Sequence, residues 1–128
     1  MTASDTASPA QAVNRRIAEA IRGGGERMAL ASPGARHSFA DVAALGDELL
    51  MLLEQGGCGA DGAAMIVSRN RPVHGACIAA MAGAGRQLAS IYAFQSPAAI
   101  AANVAAGRPM AVLADRGDWR PELVAAVA

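Results

Sequence analysis

The chain has 128 residues, room for one ordinary domain of roughly 100–200 residues and not for two. Its eleven Lys+Arg balance eleven Asp+Glu, so no net field draws it to nucleic acid or to an anionic membrane surface. A charged share of 17% beside a hydrophobic share of 53% excludes a disordered charged tail, and the few aromatics (Phe39, Tyr92, Phe94, Trp119) are too sparse for a base-stacking surface.

Residues 1–10 are small and polar and read as a disordered N-terminus, leaving 11–128 as one α/β unit. Val13, Ile17, Ala20 and Ile21 recur at helical spacing until Gly23-Gly24-Gly25 stops them. Met28–Ser32 and Arg36–Phe39 read as short strands around the turn dipeptide Pro33-Gly34. Ser38-Phe-Ala-Asp41 is a capping signal for the helix that follows. On that helix Val42, Leu45, Leu49, Leu52 and Leu53 are expected to share one buried face, up to Gly56-Gly57. Ala63–Ser68 is a continuous apolar run, the pattern of a strand covered on both faces. Pro72 then opens an apolar helix, 73–83. Gln87–Ala93 is a strand, Ser96-Pro97 opens a helix carrying Ile100 and Val104, and Met110–Ala114 is a strand ending at Asp115. Arg120-Pro-Glu-Leu-Val begins a last helix. Helices and strands alternating over short connections predict a small, mostly parallel sheet with flanking helices.

Helix 73–83 has no polar side, so it must be covered all round. A chain this short is expected to leave one side bare, available to a further subdomain or to self-association.

The two cysteines, Cys58 and Cys77, form no CxxC pair and no disulfide framework, which points to a reducing, cytoplasmic setting. The opening MTASDTASPAQAV has neither the basic start nor the apolar core of an export signal, and the charged, Gly-broken stretch after Arg15-Arg16 argues against a twin-arginine signal. No run of about 18 apolar residues is present, so no membrane span is expected.

All basic residues are Arg, and the only Thr residues are Thr2 and Thr6. Without Lys there is no Schiff-base chemistry and no Gly-Lys-[Ser/Thr] phosphate loop. Gly57-Cys-Gly-Ala-Asp-Gly62 matches GxGxxG, but a dinucleotide site needs those glycines after a strand and before a helix. Here they follow a helix and precede a strand, so they read as a turn, as do Gly83 and Gly85. No GxSxG elbow is present. His37 and His74 have no ligand partners at metal spacing; His37 reads as exposed and His74 as a hydrogen-bonded core residue. Cys77 reads as a small core hydrophobe, and Cys58 as a turn residue with no flanking cation to lower its pKa. No catalytic, cofactor-binding or metal-binding residue is assigned.

Several segments, in order over residues 28–128, resemble the start of the adenylate-forming superfamily of acyl- and aryl-CoA synthetases. Arg36–Val42, RHSFADV, is similar to that family's early "(T/S)(Y/F)xEL". LLMLLEQGGCG, residues 49–59, resembles "LxxxGVGPGD", and AMIVSRNRP, residues 64–72, resembles "VAIxLPNxP". AAMAGA, residues 79–84, resembles "AxLxAGA"; Ser96–Ala101 resembles "PAxxLA"; Pro109–Asp115 is similar to "pkvvvtD". The proline expected in the strand after "AGA" is missing from Arg86–Ile91, and Ala60-Asp-Gly62 scrambles "PGD". The resemblance implies the opening subdomain of a ligase that makes an acyl-adenylate from a carboxylate and ATP, then a thioester. ATP, Mg2+ and CoA are implied for the whole family; the phosphate loop, the ribose-binding Asp and the lysine domain lie later in it. It therefore implies a chain truncated at its C-terminal end and inactive by itself, whose partner is the remainder of the ligase. A non-catalytic flavodoxin-like binding module is the alternative.

Overall fold

A computed structural model describes residues 8–128. The expected disordered N-terminus falls on residues 1–7, outside the described residues, and on Ser8–Ala10, which begin the first helix. That helix, α1 (Pro9–Gly23), starts earlier than the apolar spacing indicates because Ser8 caps it. The Ser8 hydroxyl accepts from the Gln11 N–H, and the Gln11 side chain accepts from the Ser8 N–H.

β1 (Met28–Ser32) and β2 (Ala35–Ser38) pair antiparallel. Between them Pro33 takes the first turn position, and Gly34 supplies the positive φ of 82° that the second requires. Ser38 ends β2 and caps α2 (Phe39–Gln55), with Asp41 accepting from the Ser38 N–H in return. Then come β3 (Ala64–Ser68), α3 (Pro72–Gly83), β4 (Leu88–Tyr92), α4 (Pro97–Gly107), β5 (Ala111–Leu113), a 3-10 turn (Arg116–Asp118) and α5 (Pro121–Val127).

The second sheet is parallel, in the order β4-β3-β5. β3 is central, and its four residues Ala64–Val67 are buried, as the unbroken apolar run predicts. Alternation along the strand divides them between two cores. Met65 and Val67 join Ile91, Ala93, Ile100, Val104 and Leu123 under α4 and α5. Ala64 joins Leu49, Leu53, Cys58 and Met81 under α2 and α3. The fold is thus α/β, a small parallel sheet between two helical layers.

Two expectations need correction. The buried face of α2 is Val42, Gly46, Leu49 and Leu53. Leu45 is half-buried, and Leu52 is 58% exposed. At about 100° per residue, Leu52 lies about 90° from the centre of that face, at the boundary and not on it. The second concerns α3, which the chain encloses by itself. Ala76 and Met81 are fully buried. Gly46 of α2 lies against Ala80, Ala18 of α1 against Gly83, and Leu30 of β1 beside Gly75. Small residues on α3 let three neighbours approach besides the sheet; most of the helix is half-buried, and Ile78, 40% exposed, is its one exposed residue. Among the described residues no helix is long and apolar enough to cross a membrane.

Candidate functional site

β3 leads into α3 on one face of the sheet, and β5 leads through the 3-10 turn into α5 on the other. Where two neighbouring strands send their chains to opposite faces, a crevice opens at their carboxyl ends, the usual ligand site of open α/β sheets. In this protein charged side chains bridge that crevice.

The turn Arg69-Asn-Arg-Pro72 supplies one side of the bridge, and Asp115 and Asp118 the other. Arg69 donates from Nε and Nη2 to both oxygens of Asp118, at 2.7 and 2.6 Å, a bidentate fork. Arg71 Nη1 donates to Asp115 Oδ2 at 2.7 Å. His74, one turn into α3 and buried, accepts the Arg69 backbone N–H at Nδ1, at 2.9 Å. A backbone N–H only donates, so the ring proton sits on Nε2, which donates to Asp115 Oδ1 at 2.8 Å. The Arg69 guanidinium also lies over the Phe94 ring, 5.2 Å from its centroid.

The electrostatics follow from these contacts. The hydrogen bond from Arg69 holds the Asp118 carboxyl below the usual carboxylate range, and the same bond raises the Arg69 pKa. Burial pushes the Asp115 carboxyl up, and hydrogen bonds from His74 and Arg71 more than offset it, leaving it lowered. The two arginines and two aspartates of the bridge are thus paired with one another. His74 has no lone pair free to act as a base, and neither carboxylate is an unpaired acceptor. The arrangement is a clasp tying the exit of β3 to the exit of β5.

Beside the clasp, Ser68 Oγ lies 2.7 Å from Ser90 Oγ and 3.3 Å from the Ile91 carbonyl oxygen, and among the described residues neither hydrogen-bond partner is a base that could activate it. A groove of about 420 Å³ opens on the β1 side, lined in part by Ser32, Asn70, Arg71 and Tyr92. Another of about 220 Å³ opens between Gln95 and Arg120. A pocket of about 100 Å³ among α1, α2 and α3 has mainly apolar walls. Among the described residues no three His, Cys, Asp or Glu side chains converge as a metal site would need.

His74 is the hydrogen-bonded buried residue its setting implies, while His37, expected to be exposed, is half-buried on β2. Gly57–Gly62 form the turn between α2 and β3, the wrong end for a phosphate. Cys77 is half-buried, and burial pushes its thiol pKa up. Cys58, in the turn after α2, departs from expectation in its surroundings. It is fully buried, and a cation does lie beside it. Arg86, itself buried, donates from Nη2 to the carbonyl oxygens of Cys58 and Gly59, at 2.6 and 2.5 Å, with the Cys58 sulfur at 3.6 Å. That guanidinium holds the glycine turn through its carbonyls. Twenty-eight residues separate the two, so no local spacing announces the contact.

No protein-family model matches the chain, and no curated protein matches it.

Proposed function

We propose that this chain is the opening subdomain of an adenylate-forming acyl- or aryl-CoA ligase of the cytoplasm. Its part there is scaffolding: the outer sheet and helices supporting the acyl site. The supporting observation is the agreement between the resembling segments and the elements they occupy. RHSFADV runs from β2 through the Ser38 cap into α2. AMIVSRNRP is the central strand and its turn into α3; AAMAGA ends α3; SPAAIA opens α4; PMAVLAD spans β5. Each segment takes the element type that the family's order implies.

The residues present do not fit ATP. Arg69 and Arg71 at the crevice are both tied to aspartates, and Arg86 at the glycine turn faces carbonyls. No residue is therefore given a role toward nucleotide, Mg2+ or CoA, and the chain alone is inactive. The test is a chimera in which residues 28–128 replace the opening segment of a ligase of known activity. ATP–pyrophosphate exchange retained by the chimera is the expected result. A chimera that folds, beside an active parent, and shows no exchange would refute the proposal.

A second reading, a non-catalytic flavodoxin-like binding module, draws on the enclosure of α3 by α1, α2 and β1. The order β4-β3-β5 is also the way such doubly wound sheets open. The silent but folded chimera is the outcome that favours it.

A further inference from the structure

β4 is an edge strand, paired through its whole length to β3 on one side only. Among the described residues its outer backbone groups have no partner. Natural edges are guarded by charges, proline, a bulge or extreme shortness. β5, at the other edge, is three residues long, with Pro109 before it and Asp115 just after. β4 reads Leu-Ala-Ser-Ile-Tyr, with no charge, no proline and a regular register against β3. At its carboxyl end Tyr92 and Phe94 stand 54% and 65% exposed, their rings tilted and 5.1 Å apart. Arg69 over Phe94 extends this surface, and Tyr, Phe and Arg are the residue types enriched at interface centres.

We propose that this edge binds a second copy of the chain, β4 against β4 antiparallel about a two-fold axis through Ser90. The proposal does not rest on the ligase reading. It commits to a second copy because the strand is complementary to itself. With Ser90 opposite Ser90 of the second copy, Leu88 falls opposite Tyr92 on one face of the sheet, and Ala89 opposite Ile91 on the other. Aliphatic–aromatic and hydroxyl pairs at these positions are favourable, and no like charges meet. The result is a continuous six-stranded sheet, and each copy covers the other's open edge. The area sets the strength. At 150–250 Å² for a whole aromatic side chain, the exposed parts of Tyr92 and Phe94 in two copies supply about 500 Å². With the strands added, the total stays below roughly 1,200 Å², the range of weak, reversible interfaces.

The register gives a specific test. On the axis, residue 90 of each copy faces its own twin, with Cβ atoms about 5 Å apart. Ser90→Cys should cross-link into a disulfide-bonded dimer under mild oxidation, whereas Ala89→Cys, facing Ile91, should not. The expected difference in rate is at least about tenfold, since only position 90 comes near disulfide reach. Cys58 is fully buried and Cys77 half-buried, so the wild-type chain is the control. In sedimentation from micromolar to millimolar concentration the wild type should shift toward dimer. Ser90→Lys, which sets two charges face to face, and Tyr92→Ser, on an exposed side chain, should both stay monomeric with unchanged circular dichroism. A wild type monomeric throughout would overturn the proposal. So would equal cross-linking at positions 89 and 90, or a dimer that survives both substitutions.

Discussion

Gly46 tests the packing of α2 on α3 more sharply than any large side chain. A methyl carbon at position 46 would lie 2.7 Å from the Ala80 Cβ. Carbon atoms rest at about 3.5–4.0 Å, so Gly46→Ala must force the helices apart by about 1 Å. Neither group is a flexible tip that can swing aside. Overpacking of this kind costs about 1–3 kcal/mol. Alanine returns about 0.8–1.0 kcal/mol of helix propensity at the same position. The net expectation is a destabilisation of about 1 kcal/mol. Ala80→Gly alone loses helix propensity and a contact, also about 1 kcal/mol. The double variant moves the methyl from one helix to the other, so propensity cancels and the clash disappears. Its stability should return to within about 0.5 kcal/mol of the wild type, a large departure from additivity. Urea unfolding of the four proteins, read as midpoint at constant m, measures the cycle. If Gly46→Ala stabilises the chain, or the two changes simply add, the helices do not touch there and the enclosure of α3 is wrong.

Leu49 is 8% exposed within its core, and Leu49→Ala should cost roughly 2–5 kcal/mol by chemical unfolding. Leu52→Ala, three residues on and 58% exposed, should stay within about 0.5 kcal/mol. Asp118 and Asp115 have lowered pKa values in the folded chain, so their contribution is present above the unfolded carboxylate value of about 3.9. It is lost as pH falls below that value and through the lower folded ones. Stability measured from pH 6 downward should therefore fall more steeply in the wild type than in Asp118→Asn; equal slopes would mean that the Arg69 fork is not formed. Titration with Mg-ATP in a calorimeter should give no binding heat, and micromolar binding would contradict the internal pairing of Arg69 and Arg71.

Element order is legible in the residues alone, because helix and strand write their periods and caps locally. Ser38 with Asp41, Pro33-Gly34 and the unbroken run Ala64–Val67 each act within a few residues of themselves. The alternation of elements with short links then requires a parallel sheet. The absence of Lys by itself excludes a Gly-Lys-[Ser/Thr] phosphate loop. Contacts between residues far apart in the chain are another matter, because no local pattern encodes them. Whether Leu52 is buried depends on how α2 is rolled onto α3, a rotation set by the fit of Gly46 to Ala80 and not by the heptad-like spacing of leucines. An apolar helix announces that it will be covered but not by what; α1 and β1, far away in sequence, provide the cover. The clasp is the clearest case. His74 and Asp115 are 41 residues apart, and Arg69 and Asp118 are 49 apart. Nothing in either segment marks its partner, since arginines and aspartates near a turn usually face water. They meet only because parallel pairing of β3 with β5 brings both carboxyl ends to the same end of the sheet.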